Sequence, residues 1–153
     1  LGMISLSVLR AANALLIPAP PSNIDFASTA HFLKMMEATL SELAKFGGER
    51  SYSFVKILAS KMNDQKSAHV AIKRMMDAVF PQDMLQSVLK DSAEIDNATA
   101  NLSTVYELTG PSTRTETHKR CRAYLDAVGR EVETLARKTW PSHHRALRKE
   151  GVL

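Results

Sequence analysis

The sequence predicts an α/β fold, the C-terminal half of a doubly wound, mainly parallel sheet closed by a long basic helix. Three observations predict it. Ala14 to Ile17 is a continuous apolar run, the pattern of a strand covered on both faces. Tyr52 to Ser60 reads as a second such strand, and segments of helical periodicity lie between and after the two. Strands alternating with helices argue for βαβ units with right-handed crossovers.

The elements follow in order. Ile4, Leu6, Val8, Leu9 and Ala12 indicate a helix under way by about residue 4. The first strand is expected to end at Pro18, which cannot donate to a ladder. Pro18 to Asp25 is then a proline-stiffened turn at the carboxyl end of a parallel strand, the place where doubly wound folds collect ligands. From Phe26 to Phe46 apolar residues recur at Ala30, Leu33, Met36, Leu40 and Leu43, with Asp25 as the expected cap and Gly47-Gly48 as the stop. After the second strand, Lys61 to Asp64 leads into an amphipathic helix from about Gln65 to Val79. Met84 to Leu89 reads as a weaker third strand, Glu94 to Ala100 as a short helix, and Thr104 to Leu108 as an extended piece.

The last helix is expected from about Thr113 to Trp140. It places Cys121, Tyr124, Leu125, Val128, Val132, Leu135 and Ala136 on one stripe, with Lys119, Arg120, Arg130, Arg137 and Lys138 opposite. By organisation the chain divides into a partial α/β domain at 1–112, in which no Gly-x-x-x-x-Gly-Lys-Ser/Thr loop occurs, and a basic helical extension at 113–153.

Composition narrows the classes. At 153 residues with 44% hydrophobic content the chain suffices for one ordinary domain with a real core. The single Cys121 excludes an intramolecular disulfide and a cysteine-rich zinc site, and suits a reducing cytoplasm. Arg10 and Asn13 interrupt the N-terminal apolar region, which argues against a signal peptide or membrane span. The net charge is +4, but its distribution is uneven. Residues 1–113 carry ten Lys and Arg against eleven Asp and Glu, whereas residues 114–153 carry ten against five. Such asymmetry points to an anionic partner, and an ordinary solvated helix face is the competing reading.

Three strand-end loops are candidate ligand sites: Pro18 to Asp25, Lys61 to Asp64 and Lys90 to Ala93. Asn63 offers a base both a donor and an acceptor, although Asn63-Asp64 also suits a plain turn that starts the next helix. The adjacent His143-His144 lack partners at ligand spacing, so no metal site is expected. Ser53-Phe54-Val55-Lys56 matches Ser-x-x-Lys, but on a strand its Ser and Lys fall on opposite faces. Met35-Met36 and Met75-Met76 read as core residues with one exposed neighbour each, and Cys121 as inert. The basic helix remains: Lys119, Arg130 and Arg137 share one side with Arg120 and Lys138 beside them, a face suited to a phosphate backbone. Few aromatics stand among these charges, so duplex DNA is favoured over stacked single strands.

The order Leu1-Gly2-Met3-Ile4-Ser5-Leu6-Ser7-Val8-Leu9, followed by Ala14 to Thr29, resembles the middle of ParA-type plasmid partition ATPases, particularly the RepA proteins of RepABC replicons. Ile57 to Asp64, Ser92-Ala93-Glu94-Ile95 with Ala98, Thr104 to Glu107, Trp140 to His143 and Leu147 to Gly151 extend the resemblance over essentially the whole chain. It implies a P-loop NTPase fold whose deviant Walker A loop and catalytic Asp precede the position of Leu1, with Leu1-Gly2 following an Asp-x-Pro-Pro segment. It further implies ATP and Mg²⁺ as cofactors of the intact protein, dimerisation around ATP, nonspecific duplex DNA binding at the nucleoid, and a ParB- or RepB-type partner. Lys61, Met62 and Asn63 fall where the family approaches adenine, as do Lys90, Asp91 and Ser92. Lys90 and Glu94 depart from the pattern of chromosomal relatives, which moves the DNA-binding expectation to the terminal helix.

No catalytic residue is expected within this chain, nor tight nucleotide binding by it alone. The main reading is therefore the C-terminal part of a partition ATPase. The alternatives are a nucleotide-independent DNA-binding or interaction module, and a fragment without independent function.

Overall fold

The computed structural model describes residues 2–45, 51–110, 113, 115–139, 148–149 and 151. Seven elements follow in order: α1 (Met3–Ala11), β1 (Leu15–Ala19), α2 (Asn23–Ala44), β2 (Val55–Ala59), α3 (Ser67–Val79), α4 (Ala93–Ala100) and α5 (Glu116–Thr139). They gather into two compact units, residues 1–85 and 86–153.

In the first unit β1 and β2 pair in parallel, Leu15 opposite Val55 through Ala19 opposite Ala59, and α2 forms the crossover between them. Apolar composition makes β2 the centre of this core: Ile57 and Ala59 are fully buried and Leu58 nearly so. α2 packs on β1 and α3. Met36 and Met76 supply its buried thioethers, and the rings of Phe26 and Phe80 meet with centroids 6.0 Å apart. The pair Met75-Met76 behaves as expected, with Met75 exposed, whereas Met35 is half-buried beside the buried Met36 rather than exposed. Tyr52 ties α1 to this layer by donating its hydroxyl to the Leu9 carbonyl at 2.8 Å.

Several elements differ from expectation, each for a local reason. Pro18 does not end β1, which runs to Ala19. Leu15 donates to Phe54 and Ala19 accepts from Ser60, so the odd-numbered residues face β2 and the missing Pro18 donor falls on the opposite side. The cap of α2 is Ser22, not Asp25. The Ser22 hydroxyl oxygen accepts from the Asp25 N–H at 3.1 Å, and its proton goes to the Asp25 carboxylate at 2.5 Å.

The third strand, expected at Met84 to Leu89, is reduced to one parallel bridge between Met84 and Ile57. Ile57 donates to Asp83 and accepts from Leu85. Beyond Leu85 the Gln86 and Ser87 amides bind the Glu131 carboxylate, and of the two only Ser87 is on the side of a ladder to β2. Thr104 to Leu108 is a turn rather than an extended piece. The Glu107 N–H binds the Thr104 carbonyl at 3.1 Å while the Thr104 N–H binds the Glu107 carboxylate at 2.7 Å, a reciprocal closure that a strand would break. Among the described residues the sheet thus has two strands, a small parallel sheet within a mixed α/β structure.

The second unit is built on α4 against α5. Ala98, Val105 and Cys121 are buried together, with Ile95, Leu108 and Leu125 packed around them. α4 ends by wrapping its last carbonyls: Leu102 donates to Thr99 and Ser103 to Ala98, both at 3.0 Å. The residue that makes this turn, Leu102, has φ of 51° and is 97% exposed. The expected stop at Gly47-Gly48 and the pair His143-His144 lie outside the described residues, as does Trp140 to Leu147.

Candidate functional site

Two of the three candidate loops and one helix hold the nucleotide- and DNA-contact residues expected from sequence; the third loop, Pro18 to Asp25, is closed by the Ser22–Asp25 cap. The first loop leaves the carboxyl end of β2. Ser60 closes the ladder by donating to Ala19 at 3.1 Å, and Lys61 then takes a left-handed backbone with φ of 52°. A non-glycine residue there stores strain, a feature frequent at ligand-binding turns. Lys61 is exposed, whereas Met62 is 5% exposed and belongs to the core. Asn63 is half-buried and turned inward: its side-chain oxygen accepts from the Gln65 N–H at 2.9 Å and its carbonyl from the Lys66 N–H at 3.2 Å. This is the turn-forming alternative for Asn63: it engages the side-chain oxygen and keeps the amide donors for a ligand. His69 on α3 completes the loop by accepting the Asn63 N–H at its Nδ1, 3.3 Å away.

The second loop belongs to the second unit and runs from Gln86 into α4. Lys90 is half-buried and Asp91 exposed. Ser92 caps α4, its hydroxyl oxygen accepting from the Glu94 N–H at 3.3 Å. Lys61, Met62 and Asn63 stand in one unit and Lys90, Asp91 and Ser92 in the other.

The helix α5 carries the remaining candidates as its periodicity requires. Cys121 is buried and Tyr124, Leu125, Val128, Val132, Leu135 and Ala136 are half-buried, whereas Lys119, Arg120, Arg130, Arg137 and Lys138 are all exposed. The basic face is not uniformly free. Lys119 pairs with Glu116 at 2.7 Å, and Arg137 forks onto Glu133 with a closest approach of 2.5 Å. The Lys119 ammonium holds the Glu116 carboxyl below its usual range. Lys119, Arg130 and Arg137 are separated by 11 and 7 residues, so they mark one side of the helix about 16 Å and about 10 Å apart along its axis.

Three features of the second unit were not foreseen from sequence. Glu131 grips the Gln86 and Ser87 amides. Tyr106 donates its hydroxyl to Asp126 at 2.5 Å with the Arg122 guanidinium 4.9 Å over its ring, and the hydrogen bond to Asp126 raises the phenol pKa. His118, 2% exposed, places Nδ1 4.0 Å from the Glu94 carboxylate, while Thr117 donates to the other Glu94 oxygen at 3.0 Å. The signal for Glu131 lay in the helix pattern, as a carboxylate at the border of the apolar stripe; the other two depend on tertiary contacts. Among the described residues no group of three or more His, Cys, Asp or Glu is placed to hold a metal ion, and no helix is long and apolar enough to cross a membrane.

No protein-family model matches the chain. It is 24% identical over 140 residues to "Putative replication protein A" of Rhizobium rhizogenes, a match that covers 92% of this chain and 35% of that protein. A protein of the same name from Sinorhizobium fredii is also 24% identical, with 92% and 34% covered. A solved structure named "Partition Protein" superposes with a TM-score of 0.57 at 26% identity, over 86% of this chain and 32% of that one. The chain spans about a third of the length of each of these proteins. It is thus similar in sequence and fold to part of larger replication and partition proteins.

Proposed function

We propose that this chain is the C-terminal part of a ParA/RepA-type plasmid partition ATPase and that its own contribution is nonspecific duplex DNA binding through α5. The observation that carries the reading is the 24-residue amphipathic helix with its apolar stripe packed inward and five cations exposed, joined to the partial likeness to replication and partition proteins. Arg120, Arg130 and Lys138 form no salt bridge among the described residues, Arg120 lying only near enough to Glu116 to help Lys119 hold that carboxyl below its usual range, and are the first candidates for phosphate contact. Lys119 and Arg137 reach phosphate by exchanging Glu116 and Glu133 for it. These contacts neutralise backbone charge and read no bases.

In the intact protein the nucleotide is ATP with Mg²⁺, bound by a homodimer and served by a ParB- or RepB-type partner. In the first unit the Asn63 amide donors and the exposed Lys61 suit the base end of a nucleotide; in the second the Lys90–Ser92 segment is a candidate in its own right. The sequence contains no Gly-x-x-x-x-Gly-Lys-Ser/Thr loop, so nothing in it cradles phosphates or stabilises transferring charge. The chain by itself therefore releases no phosphate from ATP; steady turnover by pure protein would contradict this.

Anisotropy of a labelled duplex at low salt tests the DNA reading. The triple variant Arg120→Glu, Arg130→Glu, Lys138→Glu is expected to lose at least tenfold in affinity. Unchanged affinity removes α5 from the account.

A further inference from the structure

Glu131, which takes the Gln86 and Ser87 amides, has no part in the proposed DNA contact. Its Oε1 accepts the Gln86 N–H at 2.8 Å and its Oε2 accepts the Ser87 N–H at 2.7 Å. Two charge-assisted bonds to successive amides fix both distance and direction, which a single neutral bond does not. The contact joins residues 44 and 45 positions apart, so chain connectivity does not impose it.

Its placement gives it a further role. Glu131 stands on α5 directly after the exposed Arg130. The segment it grips continues to Lys90, Asp91 and Ser92, where Ser92 caps α4, and α4 packs back on α5. The segment is therefore anchored to α5 at both ends, by a carboxylate at 86–87 and by the Ala98–Val105–Cys121 core beyond 92. A small displacement of α5 must either carry residues 86–92 with it or break the grip.

We propose that Glu131 is a positioning residue that couples the basic face of α5 to the 86–92 segment, so that duplex DNA on one is felt at the other. The inference rests on the DNA reading given above. Coupling of this kind is reciprocal: a ligand held at Lys90–Ser92 changes DNA affinity by the same factor.

The test is titration of the isotope-labelled chain with a short duplex, following backbone amide shifts. In the wild type, shifts are expected on α5 and also at Gln86, Ser87 and Lys90 to Ser92. Glu131→Gln, which replaces one acceptor by a donor, is expected to bind DNA and lose at least two-thirds of the shift at 86–92. Glu133→Gln removes the same charge from α5 without touching the grip, and is expected to keep it. Ser87→Pro deletes one donor from the other side and should repeat the Glu131→Gln result if that variant does not fold. Shifts confined to α5 in the wild type, or persisting at 86–92 in Glu131→Gln, overturn the coupling while the DNA reading stands. Absence of any DNA binding overturns both.

Discussion

Leu102 is the residue that most departs from what its type prefers. It occupies the left-handed position after α4 where glycine is the usual choice, and at 97% exposure it buries nothing in return. Leu102→Gly is therefore expected to stabilise the second unit by about 1 kcal/mol, seen as a higher urea midpoint with unchanged slope. A lower midpoint would mean that the leucine has a compensating contact. Ser22 is the opposite case, a residue whose type matches its task. Ser22→Ala leaves the Asp25 amide without its acceptor and should lower stability by about 1 kcal/mol.

Glu107 links residue chemistry to pH. Its carboxyl is held below the usual range first by the Thr104 backbone N–H. A depressed folded-state pKa means that this contribution is present above the unfolded value of 4.5 and is lost as pH falls through the folded value. Chemical denaturation should show the Glu107→Gln variant losing less stability between pH 5 and pH 3 than the wild type. An identical loss would remove the Thr104 contact from the account.

At the scale of elements, periodicity carried furthest where a segment is long. The stripe on α5 from Cys121 to Ala136 and the opposed cations were legible because a 24-residue helix repeats its pattern many times. The parallel βαβ unit was legible for the same reason, through α2 and the two apolar runs. The failures are short segments whose backbone partners are distant or local side chains. Met84 to Leu89 has strand composition, but Glu131 takes its amides; Thr104 to Leu108 closes on its own glutamate. No window of sequence contains the first of these, and the second hides in a four-residue box. The candidate loops were placed at strand ends by topology alone, and the inward turn of Asn63 toward Gln65 was one of two readings the sequence allowed. Ile57 at the centre of β2 bonds on one side to Asp83 and Leu85 and is fully buried, so Ile57→Ala should destabilise the first unit by about 2–5 kcal/mol. A loss under 1 kcal/mol would show that β2 is not the core.

For the molecule as a whole, each unit presents a surface that bears on its role. In the first, the outer side of β1 faces an apolar groove of about 460 Å³ lined by Ile4, Val8, Leu16 and Phe32 among others, with Ile4 83% and Val8 57% exposed. An apolar strand edge of this kind associates unless it is covered. Leu16→Lys is expected to reduce concentration-dependent association in sedimentation velocity, and an unchanged profile would clear this edge. In the second, the exposed cations of α5 give the chain its electropositive end. The salt dependence of duplex binding by this chain reports directly on whether the α5 cations engage phosphates. Contacts from three to five cations predict that log K falls against log salt with a slope between about −2.7 and −4.5. Binding that ignores salt, or no binding at low salt, would contradict the assignment of α5 to DNA.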